Sequence, residues 1–387
     1  MAHRVAVVGV GQTVRYRTKI NASLAGLVRE AALEALADAE CTWSDIDALI
    51  LGKAPDMFEG VVMPEIYLAE ALGGVGKPVL RVHTAGSVGG STAIVAATHV
   101  ASGLFKRVLT VTFEKQSESN AHWALSPSLP FRAHFNSGAG GMFAPILREY
   151  IHRNRCPADV GCMVALKDRK HALRNPRAHL QIKDISLQMV KDSPMLWEPI
   201  RFLETCPSSD GACALVLCSE DLAERSVRPP AWVHGMAMRS EPGFYPWREE
   251  VYPHATRECA KDLYQQAGIQ NPRKDFDEAE VYVPFSWFEP LWLENLGFAD
   301  RGQGWKLTET GATSLDQGGD IPWNCSGGVL SSNPIGASGM IRFAEAALQV
   351  RGMAGAHQVD GARKALGHAY GAHNQFFAMW VVAADKP

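Results

Sequence analysis

The chain has no large surplus of charge and no long apolar run. Its 387 residues carry a formal net charge of −3 and an isoelectric point near 6.5. That balance builds no basic face, which argues against a nucleic-acid partner. No uninterrupted apolar stretch reaches the ~20 residues that a bilayer crossing needs, so no membrane span is expected. Eight cysteines are present, but no Cys-x-x-Cys pair among them. A metal site is therefore not expected, and the cysteines read as reduced thiols, most of them small core residues. The opening MAHRVAVVGVG carries no secretion-signal pattern, and a cytoplasmic location is the expectation. The Gly9-Val10-Gly11 turn lacks the third glycine of a dinucleotide fingerprint, since position 14 is Val14.

With 47% hydrophobic and 20% charged residues, the chain has ample material for a large core. Apolar runs predict strands at Val5–Val10, Ile46–Leu51, Lys77–Val82, Arg107–Phe113 and Cys213–Cys218. Helical spacing predicts Leu24–Ala39, with Asn21 or Ser23 as its cap, and a short helix at Met63–Leu72. Residues from Glu114 to Asn175 differ in texture: glycine-rich at Gly138–Gly141, aromatic and basic, with few clean strands. They read as an inserted loop domain, taken as about 114–205. Val227–Ala231, with its paired prolines, reads as a linker. The order then repeats: strand Trp232–Met238, helix His254–Ala267, strand Ala279–Phe285, helix Trp287–Leu296, a Gly-rich turn Ser326–Gly339 into helix Met340–Val350, and strands Ala365–Tyr370 and Phe376–Ala384. The expectation is an α/β fold of two duplicated βαβ-rich halves, 1–225 and 226–387, with helices on both faces.

The richest stretch is Arg81–Ala97, RVHTAGSVGGSTAIVAA. A buried strand, a tight Gly/Ser turn and a helix of small residues form the layout of a nucleophile elbow. A helix N-terminus with free N–H groups favours an anion there.

This elbow resembles the active-site turn of the thiolase superfamily, especially the sterol-carrier-protein type, which carries a cysteine ahead of a run like ATGSTAL. Here Ser87 stands where that cysteine would be. Four more stretches are similar to the same family in the same order: KDRKHALRNP, TCPSSDGACALV, NCSGGVLSSNPIGASG and ALGHAYG. The resemblance implies the thiolase fold, a layered αβαβα arrangement. It also implies altered chemistry. The activating histidine beside a proline is replaced by Asn333-Pro334. The His-Asp-Cys-Phe motif reads Tyr282-Val283-Pro284-Phe285. A tyrosine at the histidine position resembles the steroid side-chain-degrading retro-aldolases of this superfamily, grouped with lipid-transfer-like thiolases. It implies cleavage of a β-hydroxyacyl-CoA to a ketone or aldehyde and a shorter acyl-CoA. It further implies a homodimer joined by a small OB-fold or zinc-ribbon partner in a heterotetramer. CoA enters as part of the substrate, and no covalently bound cofactor is expected.

A retro-aldol cut needs a base for the β-hydroxyl, stabilisation of the thioester enolate, and an acid to protonate it. Needing no acyl-enzyme, it can dispense with cysteine. The expected catalytic residues are Tyr282, Ser87, His368, Tyr370 and Asn333, and the expected substrate contacts are His83, Gly86, Gly328, Gly336 and His373. Each also has a structural reading. Ser87 can be an N-cap, His83 a buried strand-end histidine, Tyr282 a core aromatic, and Asn333 a turn residue. Cys325 reads as structural. The aromatic run from Phe285 to Phe288, with Trp292, reads as core or interface, any exposed part lining a sterol-sized pocket. Two rival functions stand beside the lyase: a thiolase-like acyltransferase with an unorthodox nucleophile, and a non-catalytic scaffold subunit.

Overall fold

A computed structural model describes residues 3–54, 58–125, 137–243 and 248–387. Eleven strands occur among them: β1 (Val5–Gln12), β2 (Ala48–Lys53), β3 (Val79–Val82), β4 (Arg107–Lys115), β5 (Met195–Trp197), β6 (Ile200–Arg201), β7 (Asp210–Ser219), β8 (Ala231–Ser240), β9 (Glu278–Glu280), β10 (Lys364–Gly371) and β11 (Phe376–Ala383). Nine of them form one sheet in the order β3-β2-β4-β7-β1-β8-β11-β10-β9.

The order shows the duplication. In the first half β2 pairs parallel with β4, β4 antiparallel with β7, and β7 antiparallel with β1. In the second half β9, β10, β11 and β8 repeat that sequence of orientations. The halves meet through two residue pairs, Ala6 with Trp232 and Val7 with Ala231. The counterpart of β3 shrinks to a parallel bridge between Ala279 and Trp323.

Helices fill the layers. Leu24–Asp38 lies on the first half's strands and His254–Ala267 on the second's. Ser23, not Asn21, caps the first of these, accepting from the Gly26 N–H at 3.0 Å. Its apolar residues Leu27, Val28, Ala31 and Ala35 recur on one buried face. Two further helices, Val88–Ala101 and Ile335–Val350, pack on each other and touch strands of both halves. They form the middle layer and are buried nearly all round, which explains their small residues. A Cβ on Gly339 would lie 2.8 Å from the Gly90 nitrogen, and one on Gly90 2.9 Å from the Ala369 methyl. Only glycine permits that approach.

Three expectations are corrected. The strand before the elbow is not buried: β3 is an edge strand with Leu80 exposed. Gly9 and Gly11 form no turn but lie within β1, where they admit the backbone of Ala35 and Ala31 from the adjacent helix. The second Gly-rich turn is shorter than its sequence suggests, because the helix begins at Ile335. The inserted stretch is largely helical where described, with helices Gly138–Asn154 and Val160–Ala172 and the β5–β6 hairpin. Its residues 126–136 lie outside the described residues. No helix among the described residues is long and apolar enough to cross a membrane.

Candidate active site

The elbow follows β3. Ala85, not a glycine, takes the left-handed conformation at φ 50°, a backbone strain of about 1–2 kcal/mol for an L-residue. Ser87 occupies the N-cap position and is fully buried, yet its side chain caps nothing. Its hydroxyl turns back to the Thr84 carbonyl at 2.7 Å and lies 3.0 Å from the Thr84 hydroxyl. Thr84 Oγ1 in turn donates to Ser91 Oγ at 2.7 Å. The N–H groups of Ser87 and Val88 donate to Thr84 and Ala85 carbonyls. The elbow therefore holds a closed set of neutral hydroxyls, and two of the N–H groups expected to be free are used within the turn. Gly371, at the end of β10, lies against the backbone of Gly86 and Ser87, where a side chain would collide. This contact brings the elbow and the last strand together.

The matching turn of the second half is chemically different. Asn333, 4% exposed, precedes the helix Ile335–Val350. Its Oδ1 accepts from Ser338 Oγ at 2.7 Å and from the Tyr282 hydroxyl at 3.4 Å. Its Nδ2 donates to Cys206 Sγ at 3.1 Å. Its backbone N–H donates to Ser209 Oγ at 3.0 Å, and Ser209 lies 2.9 Å from His179 Nδ1. Burial raises the Tyr282 phenol above its ordinary value, the nearby Cys206 adding to the rise, while the Ser338 hydrogen bond and Arg342 oppose it. Burial also pushes the Cys206 thiol up to about 11, against the pull of Arg169 and the Asn333 amide.

Behind Tyr282 stands an aromatic wall. Tyr370 meets the Tyr282 ring edge-on, centroids 5.3 Å apart, and Trp292 at 5.1 Å. Its hydroxyl is buried without a hydrogen-bond partner among the described residues. His368 shares the same face of β10, two residues earlier, and its ring stacks on Tyr370 at 6.2 Å. His368 Nδ1 accepts from the Tyr282 N–H at 3.4 Å, and burial holds the imidazole at about 3, so it is neutral.

The fold thus gathers Tyr282, Asn333, His368 and Tyr370, and sets Gly86 and Ser87 against the end of β10. Gly336 lies close to the Ala54 nitrogen and the Glu114 carboxylate. The other expected contacts lie apart. His83 is exposed, not buried, because β3 is an edge strand. Gly328 sits at the other end of its loop, beside Asn324 and the Asp168 carboxylate. His373 leans on Phe143 at 5.2 Å, with Nε2 3.2 Å from the Met142 carbonyl. Phe285, Trp287, Phe288 and Trp292 are all buried, so this run is core. Cys325 is buried too. Cys206, Ser338, Ser209 and His179 were not singled out by the sequence. The signal for Cys206 and Ser209 was the motif TCPSSDG, read only as a strand return. Among the described residues no cluster of His, Cys, Asp and Glu is arranged to hold a metal ion.

Comparison with known proteins agrees with this architecture. Residues 246–383 match a thiolase C-terminal domain-like family. The whole chain is 30% identical over 384 residues to an acetyl-CoA acetyltransferase of Methanothermobacter thermautotrophicus, covering 95% of this chain and 96% of that protein. The chain belongs to the thiolase superfamily. Within it, a 17-hydroxy-3-oxo-4-pregnene-20-carboxyl-CoA lyase of Mycobacterium tuberculosis is 28% identical over 371 residues, 91% of this chain and 92% of that one. The solved Ltp2-ChsH2(DUF35) aldolase superposes with a TM-score of 0.85 at 29% identity, covering 100% of this chain and 99% of that chain. Both curated thiolase-superfamily relatives are named for reactions of CoA thioesters.

Proposed function

We propose that this chain is a carbon–carbon lyase that cleaves a β-hydroxyacyl-CoA, with a steroid or similarly bulky side chain, into a ketone or aldehyde and a shorter acyl-CoA. One observation carries the reading. Among the described residues the Ser87 elbow hydroxyl is hydrogen-bonded to Thr84, whereas Tyr282 presents a phenol held by Asn333. Acyl transfer needs an activated nucleophile at the elbow. A retro-aldol cut needs proton transfer at the β-oxygen instead. Burial keeps the Tyr282 phenol protonated at neutral pH, so it takes the β-hydroxyl proton in concert with bond cleavage only as its own proton moves on to a second acid/base. The electron pair of the broken bond passes into the thioester enolate. The lyase and aldolase relatives support this reading by their names.

The shape suits an assembly. The edge strand β3 and its flank expose Val62, Ile66, Tyr67, Val75 and Leu80, an apolar surface suited to a second copy of the chain. A second protein completes the proposed complex, supported by the two-component name of the aldolase relative, and the partner proposed is a small OB-fold protein. The location proposed is cytoplasmic.

The deciding experiment incubates purified chain, alone and with its partner, with 3-hydroxyacyl-CoA thioesters. Release of a ketone or aldehyde with a shorter acyl-CoA is expected. No cleavage of any such thioester overturns the lyase. The acyltransferase reading is favoured by the archaeal relative's name and predicts an acyl adduct on Ser87, visible by intact-mass spectrometry.

A further inference from the structure

Cys206 differs in its surroundings from the cysteines that fill the core. Six of the eight free cysteines are buried; Cys41 and Cys206 are partly exposed. Cys41 follows the helix Leu24–Asp38, whereas Cys206 borders the site. Its backbone N–H donates to the Pro284 carbonyl at 3.0 Å, and Thr205 bridges Phe285. These bonds pin the thiol beside the segment that carries Tyr282. The Arg169 guanidinium holds the carbonyls of Leu203 and Thr205 at 3.2 and 2.9 Å, which sets a positive charge near the sulfur. The sulfur accepts from the Asn333 amide, whose other end accepts from the Tyr282 hydroxyl. Thiol and phenol therefore sit at the two ends of one carboxamide.

A second, independent observation points to a ligand in the same place. The Tyr370 hydroxyl is 2% exposed and has no hydrogen-bond partner among the described residues. Its ring abuts Tyr282 edge-on, centroids 5.3 Å apart, and so borders the group that Tyr282 shares with Asn333 and Cys206. A buried polar group left unpaired costs about 1–3 kcal/mol. A ligand oxygen bound at this hydroxyl removes that cost.

We propose that Cys206 is the second proton-transfer residue of the site, the one that protonates the α-carbon of the thioester enolate. The inference rests on the retro-aldol reading above. As the bond between the α- and β-carbons breaks, its electrons form the enolate and the β-oxygen becomes a carbonyl. The thiol gives its proton to the α-carbon. Tyr282 takes the β-hydroxyl proton and passes a proton on to the thiolate. One proton leaves oxygen, one arrives at carbon, and the enzyme returns to its starting state without oxidant or reductant. The amide donor and Arg169 stabilise the transient thiolate.

The test reads proton transfer at carbon directly. Wild-type protein, with its partner if one is required, is incubated with propionyl-CoA in deuterated water, and deuterium entry at the α-carbon is followed. Exchange is expected in the wild type, at least ~100-fold slower in Cys206→Ala, and partly restored in Cys206→Ser. Thermal unfolding serves as the check on folding. Wild-type exchange in Cys206→Ala, or no exchange in the wild type, overturns the proposal. So does an acyl adduct on Cys206, which would make it a nucleophile. Should Cys206→Ala fail to fold, alkylation of wild-type Cys206 by iodoacetamide decides: protection by propionyl-CoA supports the role, and its absence overturns it. Exchange without cleavage of any 3-hydroxyacyl-CoA defeats the lyase reading alone. Cleavage with unchanged exchange in Cys206→Ala defeats only the thiol's role.

Discussion

The two halves place a turn at the same point, between an edge position of the sheet and a central helix, and fill it differently. In the first half the turn Thr84–Ser87 is lined by hydroxyls that bond one another. In the second half Asn333 joins a phenol, a thiol and two serines. Among the described residues the Ser87 hydroxyl donates only to Thr84, a neutral partner that does not take its proton. The phenol and the thiol that share the Asn333 carboxamide are the pair to which proton transfer is assigned in the proposed mechanism. In the proposed mechanism the comparison assigns proton transfer to the second turn, while the first supplies shape and backbone.

Substitutions can break that comparison. The largest effect is expected from Tyr282→Phe, which removes the phenol's proton and should lower kcat by about 10²–10⁴-fold while the fold survives; unchanged turnover would remove Tyr282 from the mechanism. Asn333→Ala separates phenol from thiol and should lower kcat about 10-fold or more, within the range for lost orientation. A steady-state assay with the same thioester measures both. Ser87→Ala should change kcat only a few-fold and stability by about 1 kcal/mol, the net value of one hydrogen bond. If Ser87→Ala instead abolishes turnover, the roles of the two turns are reversed.

The helix layer beneath the turns offers a structural control. A Cβ on Gly89 would collide with the Met340 backbone nitrogen. Gly89→Ala should cost about 1–3 kcal/mol in urea unfolding. No such cost there would mean that the two turns are held less rigidly than the packing implies.

The smallest effect sharpens the role of His368. Burial holds His368 and His171 at about 3, well below the ordinary value of 6.5. Between those values the unfolded chain binds protons that the folded chain does not. Stability therefore falls as pH drops from about 6.5 toward 3. His368→Asn should make that fall shallower in urea titrations at several pH values. An unaltered slope would show that His368 does take up a proton in the fold.

Much of the fold was legible because it rests on local patterns. Eight of the nine main-sheet strands coincide with apolar runs in the sequence, while β9 covers Glu278–Glu280 rather than the expected Ala279–Phe285; the helix His254–Ala267 has the bounds its spacing predicts. The site was legible in part. Tyr282 and Asn333 stood out as departures within recurring motifs, and the structure joins them across 51 residues of chain. Cys206 was passed over because a single cysteine carries no pattern of its own. The buried reading of His83 fails because it follows an edge strand, and edge and interior strands share the same apolar character.

The sequence by itself determined the superfamily, the doubled order of strands and helices, and the loss of a cysteine at the elbow. The doubled order follows from residue type and short-range spacing, while the superfamily and the missing cysteine follow from the resemblance of its motifs to the thiolases. Only the tertiary structure decided that Ser87 faces Thr84, that β3 is an edge, and that Tyr282, Asn333 and Cys206 share one hydrogen-bonded group. Such facts depend on where separate segments meet. That is set by close packing of the central helices and by backbone pairing between distant stretches, neither of which leaves a local mark in the chain.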